Sequence, residues 1–255
     1  MTQADKARAF AALHVPGAPL ILFNAWDAGS AKAVADAGAR AIATGSWSVA
    51  AAQGFTDAEA LPLDFAIANA DRIVRAVELP VTLDFEGGYA ADPVQLAAHF
   101  ARVLATGVVG CNFEDQIVGG EGLHGMKEQA GRIGALRREA EKANVPAFIN
   151  ARTDIFLKAR ADAHDRAAVG QALERARAYA DAGASGFFVP GMMDEGLIAR
   201  VCEGSPLPVN IMMFPGVPAP RRLGELGVAR VSYGPGPYRQ AMAALTEAAR
   251  AALAY

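Results

Sequence analysis

Apolar segments recur along this chain at regular intervals, and this repetition constrains the fold more than any other feature. Several segments follow a helical stretch that ends in a glycine, as in Asp36-Ala37-Gly38-Ala39 and Asp181-Ala182-Gly183-Ala184. Glycine at that position is a typical left-handed helix stop. The pattern predicts eight strands, each followed by a helix, near residues 19–23, 41–45, 80–85, 109–114, 147–151, 186–190, 208–213 and 229–233.

The apolar runs are continuous rather than alternating, so both faces of each strand are expected to be buried. This is typical of a parallel sheet covered by helices. Eight such units in 255 residues predict an α/β fold, a single (β/α)8 TIM barrel over residues 1–255. Residues 1–17 are expected to form a cap helix over the bottom of the barrel. Residues 237–255 are expected to form a C-terminal helix that packs on its own barrel or on another subunit.

The composition argues against several classes of protein. A net charge of −3 without clustered Lys and Arg gives no basic surface, so no nucleic-acid partner is expected. The apolar runs of roughly 5 to 8 residues are shorter than the ~20 needed to span a bilayer, so no membrane partner is expected. Cys111 and Cys202 have no spaced partners and the first residues lack a signal-peptide pattern, which favours a cytoplasmic location.

Two acidic stretches, residues 83–89 and 112–116, follow the third and fourth predicted strands. Side chains at i and i+2 of a strand share a side, so Asp84 and Glu86 are expected to project together, with Glu114 beside them. Converging carboxylates repel one another unless a cation lies between them, and a set of oxygen ligands suits Mg²⁺ or Mn²⁺. The alternative is that these side chains cap helices or pair with Arg.

Active sites of such barrels form at the carboxyl ends of the strands. Arg152, after strand five, is the one cation among the strand-end candidates, and its guanidinium suits a carboxylate or phosphonate. The alternative is a salt bridge to Glu114 or Asp154. The turn Gly45-Ser46-Trp47 offers backbone N–H groups to an anion, or is a tight turn without a ligand. Because no lysine lies at a strand end, a Schiff-base aldolase is disfavoured.

A series of short motifs runs through the chain in a fixed order: Asp27 with Ser30-Ala31, Gly45-Ser46, Asp84-x-Glu86-x-Gly88-Tyr89, Glu114-Asp115-Gln116 and Ala151-Arg152-x-Asp154. Across almost the whole sequence, this order resembles the isocitrate lyase and phosphoenolpyruvate mutase superfamily. The chain looks like a divergent member similar to the 2-methylisocitrate lyases.

The resemblance implies a role for each candidate residue. Mg²⁺, with Mn²⁺ as an alternative, would be bound directly or through water, and Arg152 would grip the substrate carboxylate. Asp57 lies where the superfamily often has an acid near the metal, and Asn210 on strand seven is a further candidate for substrate binding. The implied metal ligands are Asp84, Glu86 and Glu114, and the implied lining of the 2-oxo acid pocket is Gly45, Ser46 and Trp47, with Asp84.

The loop after strand four departs from the superfamily pattern. Residues 117–127 lack the catalytic cysteine that the isocitrate and methylisocitrate lyases carry there. Glu121 or His124 could take over proton transfer as a catalytic group, or the loop could be a glycine-rich lid without a catalytic side chain. Strand six ends in Pro190-Gly191, without the glutamate or histidine of the superfamily, and Glu86 replaces the usual aspartate.

The resemblance implies a Mg²⁺-dependent lyase that cleaves a carbon–carbon bond of a small 2-oxo or 2-hydroxy di- or tricarboxylate through an enolate. One alternative is an oxaloacetate decarboxylase or hydrolase, and another is a phosphonopyruvate-type mutase or hydrolase. A non-enzyme alternative is a barrel that binds or senses a 2-oxo acid. Superfamily members assemble through their last helices, so a homo-oligomer, either a dimer or a tetramer, is expected.

Overall fold

A computed structural model describes residues 1–254 and shows eight parallel strands in a barrel. Consecutive strands pair from β2 to β8, β8 pairs with β1, and an isolated bridge between Ala25 and Thr44 joins β1 to β2. The predicted (β/α)8 barrel is confirmed. The strands are β1 (Leu20–Leu22), β2 (Ile42–Ala43), β3 (Val81–Asp84), β4 (Gly110–Glu114), β5 (Phe148–Arg152), β6 (Gly186–Phe188), β7 (Val209–Met212) and β8 (Arg230–Ser232).

Helices connect the strands and cover the outside of the barrel. The glycines predicted to stop helices have positive φ, 93° at Gly38 and 97° at Gly183. Within residues 1–254, no helix combines the length and apolar character needed to cross a bilayer. The helices are α1 (Gln3–Ala12), α2 (Ala28–Asp36), α3 (Ser46–Ala52), α4 (Leu63–Ala76), α5 (Pro93–Leu104), α6 (Met126–Lys142), α7 (Ile155–Lys158), a 3-10 turn (Ala161–Ala163), α8 (Arg166–Asp181), α9 (Glu195–Gly204), α10 (Pro220–Glu225) and α11 (Gly236–Leu253).

Helix α1 covers the amino-terminal end of the barrel. Phe10 is fully buried, and its ring lies 5.5 Å from that of Phe148 at the start of β5. The ring of His14 stacks on that of Phe148 at 3.9 Å. The amide of Gln3 donates to the backbone carbonyl of Val108 at 2.7 Å, just before β4. These contacts leave the opposite, carboxyl end of the barrel as the open end.

A layer of polar side chains fills the middle of the barrel. Asn150 donates to Asn112 at 2.9 Å and to Asn210 at 3.0 Å, and Arg230, which is fully buried, donates to Asn112 at 3.0 Å. Asn210 is 1% exposed and also donates to the carbonyl of Ile211 at 2.9 Å. The amide of Asn210 is therefore already bonded within the barrel, and its role in substrate binding stays a prediction.

The last helix, α11, departs from the barrel. Of its residues Pro237 is buried, whereas Leu245 is 61% and Leu253 is 82% exposed. Ile21, on the outer face of β1, is 40% exposed. A groove of about 850 Å³ lies between β1, α2 and the first turns of α11. Tyr255, the last residue of the predicted C-terminal helix, lies outside the described residues.

Candidate active site

Arg152 ends β5, and its guanidinium lies between two carboxylates. Nη1 contacts Oε2 of Glu114 at 2.9 Å, and Nε and Nη2 donate to the two oxygens of Asp154 at 2.6 and 2.9 Å. The salt bridges that the sequence left open are therefore both present. Because the side chain of Arg152 is only 15% exposed, these charge-assisted bonds fix the direction of the guanidinium at the mouth of the barrel.

Asp84 ends β3, and its carboxylate is oriented by two hydrogen bonds. The backbone N–H of Ser46 donates to Oδ2 at 2.9 Å, and Nδ2 of Asn112 lies 3.4 Å from Oδ1. Gly45 is the N-cap of α3, which places the N–H of Ser46 in the first turn of that helix. The turn predicted to offer N–H groups to an anion thus directs one of them to Asp84.

Trp47, the third residue of the predicted pocket turn, packs against the start of α11. Its ring lies 4.5 Å from the guanidinium of Arg239 and 6.0 Å from the ring of Tyr238, edge to face. The β2 side of the barrel mouth is therefore bounded by an aromatic and cationic cluster.

Glu86 lies in the turn after β3, and the expectation that it projects together with Asp84 stays a prediction. β3 ends at Asp84, and the backbone turns to a positive φ of 52° at Glu86, so the period-two rule no longer applies. Glu86 is 5% exposed. It accepts hydrogen bonds from the backbone N–H of Glu59 at 2.8 Å and from the hydroxyl of Tyr89 at 3.0 Å.

The loop between α3 and α4 carries two further acids to the site. Asp57 lies 3.4 Å from the hydroxyl of Ser46. Glu59, which sequence reasoning missed, accepts from the backbone N–H of Tyr89 at 2.7 Å. Ala58 and Glu59 both have positive φ, 68° and 58°, a conformation that non-glycine residues adopt rarely. The α3–α4 loop is thus held against the turn after β3. No local sequence pattern predicts this contact.

Negative charge accumulates at this end of the barrel. Burial, together with the nearby Asp84 and Asp57, raises the pKa of Glu86 to about 7. Burial and Asp84 likewise raise the pKa of Asp57. Burial raises the pKa of Glu114 too, although Arg152 opposes that effect. The acids therefore repel one another, and Arg152 alone offsets only part of their charge.

The predicted metal ligands supply only part of the coordination that a metal ion needs. Within residues 1–254, no three His, Cys, Asp or Glu side chains are arranged to hold a metal ion by themselves. The donors are nonetheless carboxylate oxygens that repel one another, and this suits a hard divalent cation. Mg²⁺ usually keeps several water ligands and takes one or two carboxylates, so an incomplete ring of protein ligands fits it. The metal site at Asp84, Glu86 and Glu114 remains a prediction.

The loop between β4 and α6 forms a short lid. The N–H of Ile117 donates to the carbonyl of Gly122 at 3.2 Å, and Gln116 bridges to Leu123. Glu121 lies exposed at the tip. His124 is 9% exposed, and its Nδ1 lies 2.8 Å from Oε1 of Glu128. Of the two predicted proton-transfer groups, the structure therefore buries and orients His124 and leaves Glu121 in solvent.

Asp115 links the lid to the rest of the site, and sequence reasoning assigned it no role. Its carboxylate accepts from Arg175 at 3.0 Å, from the hydroxyl of Tyr179 at 2.8 Å and from the N–H of Asp154 at 3.0 Å. Arg175 also donates to the carbonyl of His124 at 3.0 Å. The buried carboxylate of Asp115 thus holds both the end of the lid, through Arg175, and Asp154, which is the salt-bridge partner of Arg152.

The model of the family described as phosphoenolpyruvate phosphomutase matches residues 10–253. The chain belongs to this family. A crystal structure of a Burkholderia cenocepacia J2315 protein, provisionally assigned as a phosphonomutase, matches with a TM-score of 0.96 and 48% identity, over 98% of this chain and 99% of that one. The family resemblance expected from the motifs is therefore confirmed.

Relatives within this family include lyases. An uncharacterized protein of Mycobacterium tuberculosis (strain H37Rv) is 36% identical over 94% of this chain and 86% of its own length. The 2-methylisocitrate lyase of Salmonella typhimurium (strain LT2) is 27% identical over 86% of this chain and 74% of its own length. A phosphonopyruvate hydrolase solved with oxalate and Mg²⁺ shares the fold, with a TM-score of 0.82 and 21% identity over 97% of this chain and 85% of that one.

Proposed function

We propose that this protein is a Mg²⁺-dependent lyase that cleaves a carbon–carbon bond of a small 2-oxo or 2-hydroxy carboxylate through an enolate. The observation that carries the proposal is the acidic cluster around Asp84, which collects at the carboxyl ends of β3 and β4 with Arg152 as its cation. Family membership supports the reaction class. A di- or tricarboxylate, as the sequence predicts, is the proposed substrate.

Asp84, Glu86 and Glu114 would hold Mg²⁺ or Mn²⁺, directly or through water. Bound there, the ion would supply positive charge that stabilises negative charge on the substrate oxygens. Arg152 would bind the substrate carboxylate, since Glu114 and Asp154 already fix its guanidinium in one direction. Gly45 and Ser46 would shape the pocket beside Asp84, and Trp47 would bound it.

His124 is our candidate for the proton transfer that the missing cysteine performs elsewhere in the superfamily. Its contact with Glu128 at 2.8 Å fixes the tautomer and leaves Nε2 for proton exchange. A His124→Gln variant is expected to bind 2-oxo acids with unchanged affinity and to lose turnover. Glu121→Gln, at the exposed lid tip, is the matched control and should keep its activity.

The test is a panel of ligands followed by a panel of substrates. Oxalate, pyruvate and oxaloacetate should raise the melting temperature only when Mg²⁺ is present, because chelation needs the acid and the metal ion together. Release of a 2-oxo acid is then measured from 2-methylisocitrate and 2,3-dimethylmalate. Binding without turnover of any substrate would favour a binding or sensing barrel, and absence of Mg²⁺-dependent binding would refute the enolate site.

The lid favours a second candidate activity. No cysteine lies between β4 and α6. The second proposal is therefore a reaction that needs fewer catalytic groups from this loop, namely decarboxylation or hydrolysis of oxaloacetate. Oxaloacetate disappearance without cleavage of the methylated substrates would support it. Release of phosphate or phosphoenolpyruvate from phosphonopyruvate would instead indicate mutase or hydrolase chemistry.

We also infer that the protein is a homo-oligomer. The exposed apolar side of α11 and the groove between β1 and α2 are complementary in character, since the groove is lined mainly by small and apolar side chains. Because α11 is so exposed, packing on its own barrel buries little of its apolar surface. We therefore infer that α11 of a second copy occupies the groove.

A further inference from the structure

Arg230, in β8, is a charged side chain in the middle of the barrel. It is fully buried, and its Nη2 donates to the neutral amide oxygen of Asn112 at 3.0 Å. Among residues 1–254, its Nε and Nη1 have no hydrogen-bond partner. Burial of an ionised group without a charged partner is costly, because the group loses its hydration. The presence of Arg230 in this layer is therefore unfavourable for folding.

The guanidinium of Arg230 stays ionised at neutral pH. Burial lowers the pKa of Arg230 to about 9, and the negative charge of Asp84 opposes that effect. A guanidinium with this pKa is almost fully protonated at neutral pH. A positive charge is therefore present inside the barrel, close enough to Asp84 for the two charges to interact.

This charge lies one layer beneath the barrel mouth. Arg230 and Asn150 both donate to Oδ1 of Asn112. Glu114 follows Asn112 by two residues on β4, and Arg152 follows Asn150 by two residues on β5. Two residues of a strand span about 7 Å. The charge of Arg230 thus acts on the mouth from below, through the interior of the barrel, where salt screens it little.

Asn112 separates Arg230 from Asp84. Its Oδ1 faces Arg230, and its Nδ2 lies 3.4 Å from Oδ1 of Asp84. Asn150 also donates to Oδ1 of Asn112, at 2.9 Å, so the amide would keep its direction without Arg230. The contribution that belongs to Arg230 alone is therefore its positive charge.

We propose that Arg230 is a buried counter-cation of the site, which raises the affinity for an anionic substrate without touching it. The inference rests on the proposed function and adds a residue to it. A carboxylate bound beside Arg152 is attracted by Arg230 from one layer below. A cation bound at Asp84 is repelled from the same direction. Arg230 thus shifts the preference of the acidic mouth toward anions.

The test is a set of dissociation constants for the wild type and Arg230→Met, measured by calorimetry. Oxalate and pyruvate are titrated at saturating Mg²⁺, and Mn²⁺ is titrated without any acid. In the variant, pyruvate should bind about threefold and oxalate about tenfold more weakly, because oxalate carries twice the negative charge of pyruvate. Mn²⁺ alone should bind about tenfold more tightly, since the repulsion from Arg230 is removed.

Arg230→Lys is the matched control, because it keeps the charge and changes the shape of the side chain. Its dissociation constants for oxalate, pyruvate and Mn²⁺ should stay within about twofold of the wild-type values, since the charge remains in place. If Arg230→Met does not fold, Arg230→Gln replaces it as the neutral variant, because its amide retains a donor for Asn112.

The outcomes distinguish a role in charge from a role in packing. A packing role predicts that the neutral variant binds oxalate, pyruvate and Mn²⁺ all more weakly, and that result would overturn the inference. Unchanged constants in the neutral variant, or a Lys variant that loses as much affinity for oxalate as the neutral one, would also overturn it. If the wild type itself does not bind oxalate in the presence of Mg²⁺, the proposed function is wrong and the inference is wrong with it.

Discussion

The backbone N–H of Ser46 donates a hydrogen bond to Oδ2 of Asp84 at 2.9 Å. This bond joins the start of α3 to the end of β3 and holds the carboxylate in a cluster with Glu86 and Asp57, whose pKa values burial raises. A carboxylate oriented by a helix N-terminus in an acidic environment is suited to meet a cation.

Asp84→Ala should remove Mg²⁺-dependent binding of oxalate and leave the fold intact. In the wild type, oxalate at a hundred times its Kd should stabilise the protein by about 2.7 kcal/mol, and this gain should vanish in the variant. Thermal denaturation with and without Mg²⁺ measures it. Asp64→Ala is the control, because the Asp64 side chain is 79% exposed. A variant that keeps the Mg²⁺-dependent gain would show that Asp84 is not a ligand.

The metal-free protein should lose stability as the pH rises from about 4.5 to about 7. The pKa of Glu86 is raised to about 7 in the folded state from its ordinary value of 4.5, so the folded state holds its proton over a range where the unfolded state releases it. The loss at higher pH is up to about 3 kcal/mol. Urea denaturation in a chelator measures it at each pH.

Glu86→Gln should reduce that pH dependence, because the amide does not titrate, and the raised pKa values of Asp57 and Glu114 should leave the remainder. Added Mg²⁺ should also reduce the loss above pH 7 in the wild type, since a cation favours the ionised carboxylate. A wild-type profile that rises between pH 4.5 and 7 would contradict the burial of a protonated Glu86.

Arg175→Met should destabilise the protein by about 3–5 kcal/mol, because it leaves the buried carboxylate of Asp115 without its cation. Arg175 is within 3.0 Å of both Asp115 and the carbonyl of His124, so the lid should also become more sensitive to proteolysis. Urea denaturation and limited proteolysis measure the two effects. Arg221→Met is the control, since the Arg221 side chain is 93% exposed.

A double variant distinguishes the ion pair from simple packing. Adding Asp115→Asn to Arg175→Met removes the uncompensated charge and should recover part of the lost stability. If the two changes are instead additive, the pair does not hold the lid through its charges.

Leu245→Glu should weaken self-association. Leu245 is 61% exposed on α11, and a carboxylate there would have to enter an apolar groove of a second copy. Light scattering after gel filtration should show an oligomer for the wild type and a smaller species for the variant. Ile21→Glu, on β1 at the groove, should act in the same way, and Val94→Glu, at a 79% exposed position of α5 away from the groove, should not. A monomeric wild type at micromolar concentration would refute the oligomer.

The sequence predicted the barrel because its signals are local. Continuous apolar runs bounded by helix-stopping glycines indicate buried parallel strands wherever they occur, and residues such as Gly38 and Gly183 have the positive φ that their positions implied. The carboxyl ends of the strands, and hence Asp84, Glu114 and Arg152 as neighbours, follow from the fold alone. The motifs then identified the family.

Only the tertiary structure decided how those side chains are used. The carboxylate of Glu86 is held by the backbone N–H of Glu59, which belongs to a different loop. The partners of Arg152 depend on the register of β4 and β5. Barrel closure and loop approach set these contacts, and neither is encoded in a short segment. The sequence by itself therefore determined the fold and the place of the site, and the packing of distant segments determined its charge balance and its shape.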